Sequence, residues 1–290
     1  MSVAELRDLI VRHARADQGT AIEDVLLSRV VEPESPQPSM TGTVLAVIVQ
    51  GAKRLALGSR VYEYTAGQYL IASVDMPVTG NFLGATDDRP ALGFGLVLRP
   101  AAVAEILLQA DPGDLPPAPG VPSGVAVSDA PAELLDAVLR LVRLLDHPRD
   151  AAVLAPLIKR EILWRVLTGE QGAAVRQLGL ADSNLAHVAR AVRWIREHYP
   201  TAFRVEELAQ LSGMSVSAFY RNFQAVTAMS PIQFQKQIRL QQARLLLATR
   251  PGDVTGVGRH VGYESPSQFS REYRRQFGAP PSQDPTLLLR

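Results

Sequence analysis

A short pattern of serine, aromatic and arginine residues occurs twice near the carboxyl end of this 290-residue chain. It runs from Ser215 to Pro231 and again from Ser265 to Pro281, with corresponding positions at a constant offset of 50 residues. Self-similarity at a fixed interval is what a duplicated supersecondary unit leaves in a sequence. The stretch from Phe203 to Pro281 is therefore predicted to contain two copies of one helical unit.

If each copy forms a helix, its aromatic residues lie on one face and its polar residues on another. In the first copy Phe219 and Phe223 lie one turn apart and are expected in the core; in the second, Phe269, Tyr273 and Phe277 take that role. Side chains spaced by three, four and seven residues share one helical face. The predicted outward faces are Ser217, Tyr220, Arg221 and Gln224 in the first copy, and Ser267, Ser270, Arg271 and Arg274 in the second.

Both outward faces are rich in hydrogen-bond donors and carry no carboxylate. Arginine reaches guanine acceptors in the major groove, and serine or tyrosine contacts bases or phosphates. Any surface helix also has a solvated polar face, so one such face alone would decide nothing. Two matching faces favour a pair of helix-turn-helix units that bind double-stranded DNA.

The charge distribution divides the chain in the same place. Residues 181–290 hold 14 Lys and Arg against 8 Asp and Glu, whereas the rest of the chain holds 16 against 21. A basic module is thus joined to an acidic one. The absence of cysteine excludes disulfides and thiolate sites. We expect a sensing and dimerisation domain over residues 1–168, a linker over 169–182 and a DNA-binding domain over 183–290.

Short apolar runs separated by turn residues characterise the first half of the chain. They lie at Val44–Val49, Arg54–Leu57, Arg60–Tyr64, Gln68–Ala72 and Leu92–Leu98. Such spacing predicts a small β-barrel or sandwich. Amphipathic helices follow at 131–145 and 151–167.

The charged amino terminus is predicted as a short helix and not a signal peptide, and no apolar run could cross a bilayer, so we expect a cytoplasmic protein without membrane contact.

The second half closely resembles the AraC family of transcriptional regulators. The resemblance covers roughly Leu185 to Pro281 and rests on VEELAQLSGMSVSAFYRNFQ, SPIQFQKQIRLQQARLLL and VGYESPSQFSREYRRQFGAPP. It implies two recognition helices in successive major grooves, about 34 Å apart. By position it assigns base contacts to Ser217, Tyr220 and Arg221 in the first unit, and to Pro266, Ser267, Ser270 and Arg271 in the second.

Two departures from the family pattern concern the second unit. Its first helix contains Gly256 and Gly258, and each glycine costs about 1 kcal/mol relative to alanine in a helix. We therefore expect a loosely held second unit. The ending SQDPTLLLR replaces the family's aromatic and basic tail, so we expect no phosphate contact there.

The first half resembles the cupin-like effector domain of one AraC subgroup. The resemblance rests on AVIVQGAK, LGSRVYEYTAGQYLIASVDMPVTG and GEQGAAVRQL. It implies an α+β chain in which a small cupin-like amino-terminal β-barrel with flanking helices precedes an all-α double helix-turn-helix domain. The barrel would bind a small-molecule effector through the polar residues Gln50, Lys53, Tyr64, Tyr69 and Asp75, although turn formation or strand packing is an alternative role for each.

The partners expected for such a regulator are double-stranded DNA, the effector, RNA polymerase and a second copy of the chain, with no cofactor. A cupin-type enzyme is the first alternative. It would need clustered histidine and carboxylate ligands, yet residues 14–146 contain no histidine. The second alternative is an architectural protein that binds DNA without sequence choice. That class would be expected to carry a larger positive excess than residues 181–290 do.

Overall fold

The computed structural model describes residues 3–32, 36–117, 122–180, 183–250 and 252–284. These residues form two compact units: one lies within residues 1–189 together with 225–228, and the other within 190–224 and 229–290. Positions 181 and 182 of the expected linker and 285–290 of the expected tail lie outside the described residues.

Two antiparallel sheets make up the β-structure described in the first unit. The five-stranded sheet has the order β1-β8-β3-β6-β9 and the four-stranded sheet the order β2-β7-β4-β5. The strands are β1 Val25–Val30, β2 Gln37–Met40, β3 Val44–Gln50, β4 Ala52–Leu57, β5 Arg60–Thr65, β6 Gln68–Ala72, β7 Pro77–Leu83, β8 Ala91–Val97 and β9 Val125–Asp129. The arrangement is a two-sheet sandwich with the cupin-like character that was predicted.

Strand β3 explains why its sequence is apolar without alternation. Leu45, Val47 and Val49 belong to the core beneath the helices, whereas Ala46 and Ile48 line a space between the sheets. Because successive side chains point to opposite faces, a strand covered on both faces needs apolar residues at every position. At its end Gly51 has φ +84 and makes the turn into β4.

Helices cover the outer face of the five-stranded sheet. Their shared core includes Leu6 and Ile10 of the first helix and Val138 of the third. The helices are α1 Val3–His13, α2 Pro100–Leu107, α3 Ala132–Arg143, α4 Pro148–Thr168 and α5 Gly172–Gly179.

Helix α5 lies where a linker was expected. Its Val175 is fully buried in the same core as α3 and α4, and Ala174 is 4% exposed. The stretch GEQGAAVRQLGL was expected to lie in a linker, but its apolar residues give it a packed helix over Gly172–Gly179. The described chain thus remains structured to Leu180.

The remaining described helices form the all-α part that was predicted. They are α6 Asn184–Glu197, α7 Val205–Leu211, α8 Val216–Thr227, α9 Pro231–Thr249, α10 Val254–His260 and α11 Pro266–Phe277. Helix α9 begins with a capping box, in which Ser230 accepts from the backbone of Gln233 and the Gln233 side chain reaches back. The α+β class predicted for the chain is confirmed.

The glycines of α10 do not leave it loosely packed. Asp253 caps the helix by accepting a 2.9 Å hydrogen bond from the Gly256 backbone. Gly258 is buried, and a Cβ added there would lie 3.0 Å from Cδ1 of Phe269. The glycine therefore permits close approach of α10 to α11. This contact offsets the helix-propensity cost on which the expectation of a loose unit rested.

Candidate DNA-binding surface and effector cavity

The outward face of α8 is exposed as predicted from its spacing. Ser215 starts the helix by accepting from the Ala218 backbone at 3.3 Å. Phe219 and Phe223 are fully buried, which fixes the rotation of the helix about its axis. The predicted contact residues Ser217, Tyr220, Arg221 and Gln224 are all exposed, as is Val216 at the start of the helix.

Helix α11 repeats this construction. Ser265 accepts from the Gln268 backbone at 3.3 Å, and Phe269 and Tyr273 are fully buried. Of the predicted contact residues, Ser270 is half-buried, and the Ser267 hydroxyl lies 2.9 Å from the Ser265 hydroxyl. The exposed ones are Pro266, Ser267, Arg271 and Arg274.

The one carboxylate of α11 is engaged away from this surface. Glu272 lies 3.0 Å from Lys236 Nζ of α9 and accepts a 2.8 Å hydrogen bond from the Tyr263 hydroxyl. Burial raises the pKa of Glu272, but the hydrogen bonds from Lys236, Tyr263 and Gln268 outweigh it and hold that pKa below its ordinary value. The outward face of α11 therefore presents positive charge only, which suits a polyanion.

Arg239 of α9 forms hydrogen bonds to both helix-turn-helix units, a role that the sequence did not suggest. Its guanidinium donates to the carbonyls of Tyr199 at 2.7 Å, Pro200 at 3.1 Å and Gly262 at 2.9 Å. Tyr199 and Pro200 follow α6, and Gly262 follows α10. Burial lowers the pKa of Arg239, yet arginine stays charged in proteins. This contact helps to fix the two recognition helices relative to each other.

Asp284 is a second residue that sequence reasoning missed. It is 1% exposed, accepts from Arg244 and accepts from the Tyr273 hydroxyl. Tyr273 belongs to a buried core that includes Leu240, Leu247, Val257 and Phe269. The sequence predicts only that this tail makes no phosphate contact, whereas Asp284 accepts hydrogen bonds from Arg244 of α9 and Tyr273 of α11.

A cavity of about 310 Å³ lies between the two sheets of the first unit. Its lining combines apolar side chains with the polar residues Gln18, Ser28, Ser39, Thr41, Lys53 and Tyr64. Lys53 of β4 and Tyr64 of β5 are directly opposite each other in the strand register and both line the cavity. The other lining side chains include Leu26, Val44, Ile48, Leu55, Leu70, Val78, Phe82 and Phe94.

Tyr64 is the most unusual residue of this lining. It is 1% exposed and lines the cavity. Burial raises the pKa of Tyr64, so the phenol stays a neutral donor. Lys53 lies with its Nζ 4.8 Å from the centre of the Phe82 ring. A buried hydroxyl and a cation thus line the same cavity.

The other predicted effector residues lie away from this lining. Gln50 donates to the Pro90 carbonyl at 2.8 Å, and Asp75 accepts from the Gly42 backbone at 2.9 Å. Tyr69 is packed in the core beneath the helices. The structure therefore brings together Lys53 and Tyr64, while the other three stabilise turns and packing, the alternative role that the sequence left open.

No group of three or more histidine, cysteine, aspartate and glutamate side chains within the described part of the chain is arranged to hold a metal ion. Among the same residues, every helix is too short or too polar to span a membrane.

Comparison with known families gives two matches. The family described as AraC-type transcriptional regulator N-terminus matches residues 21–174, more than half of the chain. A helix-turn-helix domain family matches residues 208–284. The two matched ranges contain the two-sheet sandwich and both outward helices.

Curated relatives match over part of their length. The virulence regulon transcriptional activator VirF of Yersinia enterocolitica is 27% identical over 154 residues, which are 52% of this chain and 55% of VirF. The transcriptional regulator ExsA of Pseudomonas aeruginosa is 28% identical over 166 residues, 57% of this chain and 58% of ExsA. The chain thus spans a little over half the length of these relatives.

A solved structure matches nearly the whole fold. ToxT from Vibrio cholerae, solved with a bound unsaturated fatty acid, aligns with a TM-score of 0.56 over 92% of this chain and 94% of ToxT. The sequence identity is 10%. This likeness therefore concerns the fold.

Proposed function

Because the chain belongs to the AraC family of transcriptional regulators, we propose that it binds double-stranded DNA sequence-specifically and regulates transcription. The observation that carries the proposal is the pair of outward faces on α8 and α11. Each is anchored by two fully buried aromatic residues and exposes polar and cationic side chains without a free carboxylate. Helices of this kind enter successive major grooves in helix-turn-helix proteins.

The contacts in this proposal have different roles. Arg221 and Arg271 stand at equivalent positions and are assigned to base edges, where arginine pairs with guanine. Arg274, one turn further along α11, is assigned to the phosphate backbone. Tyr220 and Gln224 extend the contact surface of α8. The remaining candidates are Ser217, Pro266, Ser267 and Ser270.

The proposed effector is a small molecule with an apolar body and one anionic group, bound in the cavity between the sheets. Lys53 supplies a cation and Tyr64 a hydroxyl donor, and lining residues such as Leu55, Phe82 and Phe94 supply apolar surface. The fatty acid held by ToxT is a molecule of this chemistry. The effector acts by binding one arrangement of the protein more tightly than another, since equal affinity shifts no equilibrium.

Activation of transcription belongs to the same proposal, because relatives such as VirF are activators. It requires contact with RNA polymerase at the promoter, and a second copy of the chain on an adjacent site would strengthen binding. The protein would act in the cytoplasm, because the chromosome lies there. The cupin fold then serves sensing, not catalysis.

Selection from a random DNA library with the purified chain tests the proposal. A sequence-specific regulator enriches one motif with two parts about one helical turn apart, and it binds that motif at least 1,000-fold more tightly than scrambled DNA at physiological salt. Enrichment of no motif, with equal and steeply salt-dependent binding to every duplex, would instead identify an architectural protein.

A further inference from the structure

A second cavity, of about 220 Å³, lies on the helix-covered side of the five-stranded sheet. Its lining comes from α1, α3, strand β3 and the turn between β5 and β6. Val49 of β3 lines it and also belongs to the core beneath the helices. Ile48 lines both this cavity and the one between the sheets. The two cavities thus lie on opposite faces of one strand.

The apolar part of the lining has a closed floor and an open mouth. Leu6 of α1 and Leu139 of α3 are buried, and Leu135, one turn before Leu139, is half-buried. Val3 is 39% exposed, and Ala66 in the turn is also exposed. A small molecule could therefore enter from solvent between Val3 and Ala66 and contact the three leucines.

Arg7 is the charged residue of this lining. It stands one turn after Val3, so both side chains lie on the same face of α1. Its Nε is buried and has no hydrogen-bond acceptor among the described residues. Buried polar nitrogens nearly always have a partner, and a guanidinium stays charged in proteins. The cavity therefore presents a cationic donor to whatever occupies it.

The acids of the two helices do not neutralise this donor. Glu5 of α1 accepts two hydrogen bonds from Arg143, and Asp136 of α3 accepts one from Arg140 at 2.9 Å. The other acids of these helices are exposed to solvent, and they are Asp8 and Glu133. An anion that enters from solvent is the complement that the cavity favours.

The turn between β5 and β6 gives the cavity a fixed wall. Gly67 lines it with φ +88, a conformation that suits glycine. The Gly67 backbone donates to the Ile48 carbonyl at 2.9 Å and accepts from the Ala130 backbone at 2.8 Å. Binding sites for small molecules are usually formed in advance in this way.

The volume limits the size of the occupant. A cavity of roughly 150 Å³ holds benzene, whereas drug-sized ligands occupy about 300 Å³ or more. At about 220 Å³ the cavity suits one ring, or an apolar body of similar size, with a single charged group.

We propose that this cavity binds a compact apolar monocarboxylate. Arg7 donates from Nε and a neighbouring Nη nitrogen to the two carboxylate oxygens, the paired geometry that arginine favours. Leu6, Leu135 and Leu139 contact the apolar body. The inference goes beyond the proposed function, because Arg7 belongs neither to the DNA-binding surface nor to the cavity between the sheets.

Ligand-observed NMR titration of the full chain with cyclohexanecarboxylate tests the site. The wild type should bind this probe with a dissociation constant of about 10 mM or lower, as expected for so small a ligand. Arg7→Met should weaken binding about tenfold or more, because it removes a charged hydrogen-bond donor but keeps an unbranched side chain. Arg15→Met is the matched control, since Arg15 is exposed just after α1 and lies outside the lining.

Circular dichroism checks that each variant is folded. No saturable binding to the wild type, or equal binding to wild type and Arg7→Met, would overturn the proposal.

The neutral analogue cyclohexanecarboxamide tests recognition of the charge. It has nearly the same shape and should bind the wild type about tenfold more weakly than the carboxylate, with little further loss in Arg7→Met. Equal affinity for amide and carboxylate would contradict an anion site at Arg7.

Closing the mouth tests the position of the site without altering Arg7. Ala66→Trp places a large side chain at the exposed rim and should abolish binding of the probe. Val61→Trp is the control, because Val61 is 64% exposed on β5 and outside the lining. Equal binding to both tryptophan variants would place the probe elsewhere.

Lys53→Met separates this inference from the proposed effector cavity. It should leave cyclohexanecarboxylate binding at the wild-type level, since Lys53 lines the cavity on the other side of the sheet. If Lys53→Met abolished binding and Arg7→Met did not, the probe would occupy the space between the sheets and this inference would fail. A chain that selects no DNA sequence would contradict the regulatory function, while the Arg7→Met titration would still decide this site.

Discussion

Arg244 and Asp284 form a bidentate salt bridge inside the second unit, in which Nε donates to Oδ2 at 2.9 Å and Nη2 donates to Oδ1 at 3.2 Å. The Asp284 side chain is 1% exposed and that of Arg244 14%. The Tyr273 hydroxyl donates to the same carboxylate at 2.8 Å. The chain following α11 is thereby joined to α9 and to the recognition helix, so the position of α11 depends on a residue outside it.

Asp284→Ala should destabilise the second unit by about 3 kcal/mol. The substitution removes the carboxylate that pairs with the Arg244 guanidinium, and that guanidinium is nearly buried. Urea unfolding followed by Trp194 fluorescence measures this, in a Trp164→Phe background that silences the other tryptophan of the chain. Glu264→Ala, at an exposed position, is the control and should change the unfolding free energy by less than about 0.5 kcal/mol. Equal effects of the two substitutions would contradict a special role for Asp284.

Gly258→Ala should destabilise the second unit, although alanine favours a helix by about 1 kcal/mol over glycine. The added methyl group would press on the buried Phe269 ring at 3.0 Å, and overpacking of a core costs about 1 to 3 kcal/mol. The nearby Thr255→Ala, at an exposed position, should stabilise the helix slightly. Stabilisation by Gly258→Ala in the same unfolding assay would restore the view that α10 is weakened by its glycines.

Much of the fold followed from periodicity, and the errors have identifiable causes. Strands β3 to β6 and β8 were predicted because apolar runs and turn glycines mark them. Strand β2 was missed because of its proline, which is tolerated since β2 lies at the edge of its sheet. Strand β9 follows a proline- and glycine-rich stretch, and its pairing with β6 is a long-range contact that no local pattern reveals.

The candidate sites were predictable to different degrees. Exposure on α8 and α11 followed from spacing, because buried aromatic residues fix which side of a helix faces outward. The cavity residues could not be separated in the same way, since Tyr64 and Tyr69 stand in similar strands but face different spaces. Arg239 and Asp284 act through carbonyls and charges distant in the sequence, which single-sequence patterns do not show.

The second unit should lose stability as the pH rises past about 10, where tyrosine ionises in an unfolded chain. Burial raises the pKa of both Tyr263 and Tyr273, and their hydrogen bonds to Glu272 and Asp284 raise it further. The folded state therefore keeps its protons where the unfolded state releases them, so stabilisation is complete below pH 10 and declines above it. Urea midpoints between pH 8 and 11 measure the decline.

The double variant Tyr263→Phe/Tyr273→Phe should flatten this alkaline decline, because it removes the two phenols that fold in the neutral form. Tyr220→Phe, on the exposed face of α8, should leave the decline as in the wild type. A double variant with the wild-type pH dependence would assign the alkaline loss to other groups.

Arg221→Ala and Arg271→Ala should weaken binding to a selected site by similar amounts, about 1 to 3 kcal/mol each, and should relax base choice at different positions. Similar effects are expected because α10 supports α11 through the Gly258 contact. Fluorescence anisotropy with single-base variants of the site measures both quantities. Arg193→Ala, at an exposed position on α6, controls for loss of charge and should keep base choice intact. A much smaller effect of Arg271→Ala would mean that the second unit adds little to recognition.

Lys53→Met should weaken binding of an unsaturated fatty acid to the purified chain about tenfold, since it removes the cation of the cavity, and a charged hydrogen bond contributes roughly 1.5 kcal/mol or more. Tyr64→Phe should weaken binding less, because it removes a neutral donor only. Isothermal titration calorimetry measures both. The control is Arg54→Met on the same strand, because adjacent strand residues face opposite ways and Arg54 is paired with Glu63 at the surface. Equal losses in Lys53→Met and Arg54→Met would show that the ligand responds to surface charge, and no binding to the wild type would exclude fatty acids as the effector class.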